Sequence, residues 1–240
     1  MPVDHDTLRS IPLLDGVPAP IARAVLEAAR VREFDAGATL FSEGQPATAF
    51  FVLQTGSVKL VQLTDAGEAI VFRLLAFGDA FGTVSVLGAG AYPVSASAIT
   101  AASALQWEAG TMRALLERHP RLSLNVLRSV SDRLQALRLQ YSQLATEKVE
   151  RRIARALQTL LHRAGRPVGD GVLIDLPLSR EDLAQLTGTT MYTVSRIVKR
   201  WEVAGILRAG RQQILVRQPQ TLASIAADAT PSGRADAGVW

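Results

Sequence analysis

The chain has 240 residues and a mass of 25.7 kDa, enough for one large domain or two modest ones, each with a core of its own. Hydrophobic residues make up 48% and charged residues 20%, a globular composition, and the absence of cysteine excludes disulfides, thiolate nucleophiles and cysteine-held zinc or iron–sulfur clusters. The formal charge of +4 is uneven: residues 1–119 sum to −4, residues 120–145 to +3 and residues 146–240 to +5, the asymmetry expected when the rear of a chain meets a polyanion.

No run reaches the ~18 apolar residues of a membrane span; the longest candidate, around Ala69–Phe77, is split by Arg73. The opening MPVDHD has acids where a secretory or transit peptide carries positive charge. The expected location is therefore the cytoplasm, with no membrane partner.

Ile21–Val31 has helical spacing and predicts one helix ahead of the first strands. From Phe34 to Trp107, short hydrophobic stretches (FFVLQ, VKLVQL, AIVFRLL) alternate with glycines at positions 37, 44, 56, 67, 78, 82, 88 and 90, the mark of an antiparallel sandwich or barrel. Asp65–Gly67 between two of these stretches predicts a hairpin turn. This first segment, 1–119, is read as one β domain.

At Pro120, suited to a first helical turn, the period changes. Leu127, Val130, Leu134, Leu137, Tyr141 and Leu144 follow at spacings of three and four, a narrow heptad seam flanked by Arg128, Arg133 and Arg138. The pattern predicts a dimerisation helix over 120–146. A long helix lying on its own sheet is the alternative.

A further helix, Glu147–Ala164, should end on Gly165 as its C′ residue, followed by a turn at GDG and a short strand at VLIDL. Ser179 and Asp182 have capping-box spacing and open the helix REDLAQL. Gly188 breaks that helix, and the next runs from Thr190 to Ala204 with Gly205 as its stop. ILRAGRQQILV reads as two strands turning at Ala209–Gly210, and 227–240 as a disordered tail.

Two short helices with a glycine-containing turn and a basic hairpin are the parts of a winged helix-turn-helix, here over 147–226. In the second helix Val194, Ile197, Val198 and Trp201 form an inward stripe. Thr190, Tyr192, Ser195, Arg196, Lys199 and Arg200 are left outside. Arg196 suits bidentate pairing with guanine O6 and N7, and Ser195 a base edge or phosphate. Lys199, Arg200 and the wing residues Arg208 and Arg211 suit phosphates. No Ser/His/Asp set, metal cluster or P-loop suggests an enzyme. A sensor or partner-binding module without DNA is the competing class.

The order of these parts, with FxxGxxLFSEGQPA from Phe34, GDAFG from Gly78 and DLAQLTGTTMYTVSRIVKRWEVAGI near the end, resembles the cyclic-AMP receptor protein and fumarate–nitrate reduction regulator superfamily over about Leu13–Ala226. The resemblance implies an α+β chain: an N-terminal β-roll of the cyclic-nucleotide-binding, jelly-roll type, a long dimerisation helix and a C-terminal winged helix-turn-helix. It implies a homodimeric regulator on an inverted-repeat DNA operator, with RNA polymerase as a further partner if it activates. Ser195 and Arg196 match the family's SR pair, so Arg196 takes the guanine-reading role. Tyr192 stands where the family often has glutamate, so the half-site consensus does not transfer.

The sensor pocket departs further. Cyclic-nucleotide members follow FG with glutamate and precede a Ser/Thr-Ala pair with arginine. Here Thr83 follows Gly82, and Val94 precedes Ser95. Arg73 is the candidate substitute for the missing cation. The expected effector is not cyclic AMP. Haem sensing of a nitrogen oxide is an option the resemblance leaves, through YPVSA and TVSR, with His5, His119, His162 or Pro2 as axial candidates.

Overall fold

The computed structural model describes residues 11–64, 69–88, 90–210 and 212–227. The predicted turn at Asp65–Gly67, Arg211, His5, Pro2 and residues 228–240 of the predicted tail lie outside them. Contacts divide the chain into two compact units, Met1–Tyr141 and Ser142–Trp240.

The first unit begins with a 3-10 turn, Pro12–Leu14, and helix α1, Ala19–Glu27. The predicted first helix ran to Val31, but the chain turns earlier: Arg30–Phe34 is strand β1, paired antiparallel with Ala102–Glu108. Strands β2 (Thr39–Phe41), β3 (Ala49–Thr55), β4 (Val58–Leu63), β5 (Ala69–Leu75), β6 (Ala80–Phe81), β7 (Ser95–Ala98) and β8 (Ala102–Glu108) complete two four-stranded sheets. Their orders are β1-β8-β3-β6 and β2-β7-β4-β5, with every pairing antiparallel. These are the β domain that the glycine-punctuated pattern predicted.

The alternation of a strand explains the layers. Successive β3 side chains point to opposite faces, and both faces are covered, so Ala49–Leu53 is buried without interruption. Phe51 and Leu53 enter the sandwich with Phe41, Leu60, Phe81 and Tyr92. Phe50 and Val52 enter a second core with Val25, Trp107, Met112 and Leu122. Two polar anchors fix that outer layer. The Trp107 indole N–H donates to the Val25 carbonyl at 2.7 Å, and buried Asn125 donates from Nδ2 to the carbonyls of Leu13 at 2.9 Å and Asp15 at 2.8 Å. Short helices α2 (Val84–Leu87) and α3 (Ala109–Arg118), neither of them read from the sequence, complete this unit's layers ahead of helix α4 (Pro120–Thr146).

In α4 the buried residues are Leu122, Asn125 and Val126, all in its first two turns. Beyond them the heptad stripe is open: Leu134 is 68% exposed and Tyr141 77%, with Leu127, Val130 and Leu144 also exposed and Leu137 half-buried. The chain's own sheets therefore do not cover the stripe.

The second unit holds α5 (Val149–Ala164), β9 (Gly165–Val168), β10 (Gly171–Ile174), α6 (Arg180–Thr187), α7 (Met191–Val203), β11 (Leu207–Gly210), β12 (Gln213–Val216) and α8 (Pro219–Ala227). The strands pair antiparallel in the order β11-β12-β10-β9. Helix α5 stops at Gly165 as predicted, but in an extended conformation (φ −81°, ψ 126°) that opens strand β9 rather than the left-handed one of a C′ glycine, and a Cβ there would strike the Leu161 carbonyl oxygen. Two further expectations are corrected here. The wing turns later than Ala209–Gly210, which lie in β11; Gln212 takes the left-handed conformation at φ 60°. Ala227, assigned to the tail, is the last residue of α8, and α8 packs on α5.

Candidate nucleic-acid interface

Helix α6 starts on a complete capping box. Ser179 Oγ accepts from the Asp182 N–H at 3.0 Å, while Asp182 Oδ2 accepts from the Ser179 N–H at 3.2 Å, so two N–H groups without helical partners are satisfied. The helix closes on Gly188 at φ 59°, a left-handed conformation that glycine adopts without steric cost. The same site is crowded, since a Cβ on Gly188 would sit 2.5 Å from Leu144 Cδ2. Leu144, predicted in the seam, thus lies against the turn of its own chain.

Helix α7 begins at Thr190, whose hydroxyl accepts from the Thr193 N–H at 3.2 Å. Val194, Ile197, Val198 and Trp201 are buried, and each contributes about 1.5–3 kcal/mol as a buried side chain, which fixes the rotation of the helix. The opposite face is therefore presented to solvent as predicted from spacing: Tyr192, Arg196, Lys199 and Arg200 are exposed and Ser195 half-buried. The Arg196 guanidinium lies over the Tyr192 ring, 5.7 Å from its centroid. Lys199 Nζ lies 3.9 Å from Glu202, a loose pairing of an ammonium with 75% side-chain exposure. Arg200 is held differently, by an ion pair with Glu150 on α5, whose carboxylate also accepts from the Trp201 indole at 3.1 Å. Arg208 is exposed on β11.

Three positioning residues escaped the sequence reading. The Glu202 carboxylate accepts from the Ala209 N–H at 3.0 Å, which ties the end of α7 to the wing. The same carboxylate favours the cation at Arg180, which burial pushes below its ordinary value. Arg152 on α5 donates to three carbonyls: Thr187 at 2.9 Å, Gly188 at 3.1 Å and Glu147 at 2.9 Å. It joins the α4–α5 break to the turn before α7. Glu150 orients Trp201 and Arg200. No local spacing signals such contacts, because the partners are brought together only by the tertiary fold.

In the first unit the predicted effector residues carry no open cation. Arg73 Nη2 lies 2.5 Å from Asp79 Oδ1, with side-chain exposures of 19% and 16%, and Asp79 Oδ2 also accepts from the Ala76 N–H at 2.8 Å. Arg73 thus braces the β5–β6 turn. Ser95 Oγ accepts from the Glu43 N–H at 3.0 Å. Thr83 precedes α2 without a side-chain capping bond, and Val94 packs against the sandwich core. Gly82 sits so close to β3 that a Cβ would lie 2.8 Å from the Ala49 carbonyl oxygen. Arg73 and Ser95 lie on the β2-β7-β4-β5 sheet, whereas Gly82 and Thr83 follow β6 of the other. A recess of about 410 Å³ is lined by Thr48, Ser85, Glu108, Arg113 and neighbouring glycines and alanines, and by none of these predicted residues. Of the haem-ligand candidates, His119 ends α3, its N–H donating to the Leu115 carbonyl, and His162 lies exposed on α5.

A β sandwich of this order, a long helix and a winged helix with an exposed cationic face make up the architecture of a sensor-type transcriptional regulator. The cyclic nucleotide-binding domain family matches residues 31–119, and the Crp-like helix-turn-helix domain family matches residues 151–225. The global nitrogen regulator of Nostoc sp. is 30% identical over 194 residues, covering 80% of this chain and 87% of that protein. The CRP-like cAMP-activated global transcriptional regulator of Mycobacterium tuberculosis is 25% identical over 211 residues, 88% of this chain and 94% of that one. The solved structure of FixK2 from Bradyrhizobium japonicum has the same fold, with a TM-score of 0.75 over 84% of this chain and 98% of its own, at 23% identity. The chain belongs to the CRP/FNR superfamily of DNA-binding transcriptional regulators.

Proposed function

We propose that the protein acts as a cytoplasmic homodimer in which an effector in the β-roll sets the affinity of two winged helices for an inverted-repeat operator. The observation that carries this is the division of α7: four side chains buried inward, and Tyr192, Arg196 and Lys199 exposed outward. Arg196 reads a guanine edge, Ser195 a neighbouring base edge or phosphate, and Thr190 lies at the rim. Lys199, Arg208 and Arg211 take phosphates. Arg200, paired with Glu150, contributes less than its formal charge.

The exposed stripe of α4 supports the dimer, because a narrow apolar seam of this length is satisfied by a second copy. Twofold symmetry then places half-site centres about 34–36 Å apart. RNA polymerase is a further partner if the protein activates. An effector other than cyclic AMP is supported by Thr83 and Val94 at the positions of the family's acid and arginine, and by the engagement of Arg73 with Asp79.

Duplex titration at rising salt tests the reading. A selected duplex should be bound by a dimer, and the logarithm of its affinity should fall linearly with that of the salt concentration, through counterion release. Binding indifferent to salt and sequence, or by a monomer in sedimentation, would overturn it.

A further inference from the structure

The recognition face of α7 holds a pairing that spacing alone does not reveal. Tyr192 is 70% exposed, and the guanidinium of Arg196, one helical turn on, lies over its ring at 5.7 Å. A cation over an aromatic face is attracted by the ring quadrupole, so the ring restricts the Arg196 fork before any partner arrives. The rest of the ring stays open. From Met191 to Arg200 the helix carries no carboxylate. The first acid is Glu202, and its carboxylate is engaged by the Ala209 N–H.

These facts select among base edges. A cytosine presents its N4 amino donor in the major groove and needs an acceptor such as a carboxylate, whereas a thymine presents a C5-methyl that takes apolar contact. A cytosine amino group against the face of the Tyr192 ring would lose its water, and the neutral phenol oxygen at the ring's tip is a weaker acceptor than the carboxylate of a glutamate. One turn of helix rises about 5.4 Å and one base pair about 3.4 Å, so residues four apart address base pairs one or two steps apart.

We infer that Tyr192 is a specificity-determining residue that contacts the 5-methyl group of a thymine one or two base pairs from the guanine read by Arg196, and that it selects against cytosine there. This rests on the DNA-binding reading of α7 given above.

The experiment uses the full chain and duplexes selected from a randomised pool, with each thymine near the Arg196-dependent guanine replaced in turn by deoxyuridine, which removes only the methyl. One such replacement should weaken binding about fourfold per half-site, the equivalent of exposing one buried methyl. The penalty should persist in Tyr192→Phe and vanish in Tyr192→Ala, and Tyr192→Glu should shift the preferred base to cytosine. All three variants should unfold at the parent's temperature, since the side chain is exposed. If deoxyuridine costs nothing at any position while Arg196→Ala still abolishes guanine discrimination, the thymine assignment is overturned and the interface stands. A Tyr192→Ala variant that loses guanine discrimination but keeps the deoxyuridine penalty would make Tyr192 a support for Arg196 and nothing more, which also overturns it. Failure to enrich any duplex overturns both readings.

Discussion

Arginines in the two units meet opposite fates. In the β-roll, Arg73 is closed against Asp79 at 2.5 Å with little exposure; on α7, Arg196 rests on an aromatic ring and presents its guanidinium to solvent. The Asp79 carboxylate offsets the Arg73 charge in a part-buried setting, so Arg73 serves the turn it braces. A ring restricts a guanidinium without using its N–H donors, so Arg196 keeps them for a partner. Arg152 and Arg200 lie between these extremes, the first held by three backbone carbonyls and the second by Glu150. The lesson is that the basic character of the second half overstates its available charge, and that which cation is open depends on what faces it.

The largest effect should come from breaking the proposed dimer, which would double the open face. Leu134→Glu places a charge in the exposed stripe of α4 and should yield monomers in sedimentation, with operator affinity falling by about 10²–10⁴ as the avidity of two half-sites is lost. Next, Arg73→Ala leaves Asp79 without its cation and should lower the β-roll's unfolding free energy by about 2–3 kcal/mol, less than for a fully buried pair because both partners retain some exposure. Calorimetry should show this loss in the first unit while duplex binding by α7 keeps its base preference. Smaller still, Lys199→Ala should weaken all duplexes alike and reduce the salt slope by about 1, since the ammonium suits a phosphate and reads no base.

A pH effect sharpens the same contrast within the β-roll. Burial raises the Tyr92 phenol above its ordinary value of 10.0, although bonds with the backbone of Ala49 oppose the shift. The folded state therefore holds the phenolic proton more tightly than the unfolded state. Its contribution is complete below pH 10 and is lost as pH rises through the folded value. Denaturant titrations should show stability declining above pH 10, and Tyr92→Phe should lack that component of the decline.

Much of this was legible in the chain because it rests on local rules. The capping box at Ser179, the α7 stripe, the glycine-punctuated strands and the extent of the long helix follow from period and turn chemistry. The errors have physical causes. Arg30 and Val31 continue the helical spacing of α1, yet pairing with Leu105 and Gln106 captures them as strand, a tertiary override of local pattern. Gly165 is the helix stop that spacing suggests, but its backbone is extended, and close approach to Leu161 rather than a left-handed φ is what requires glycine there. Arg73 looked like a free substitute for a phosphate-binding arginine because nothing in spacing shows that the β5–β6 turn brings Asp79 onto it. Arg152 was invisible for the same reason, since its acceptors are carbonyls carried by every residue.

The most direct test of the open face is a competition assay in which Arg196→Ala and the parent bind a selected operator and a series of single-base variants. Removing the fork should cost about 1–3 kcal/mol at one guanine per half-site and flatten the preference there, with dimer mass and unfolding temperature unchanged. If Arg196→Ala ranks the operator and all its variants as the parent does, α7 does not read DNA through this face.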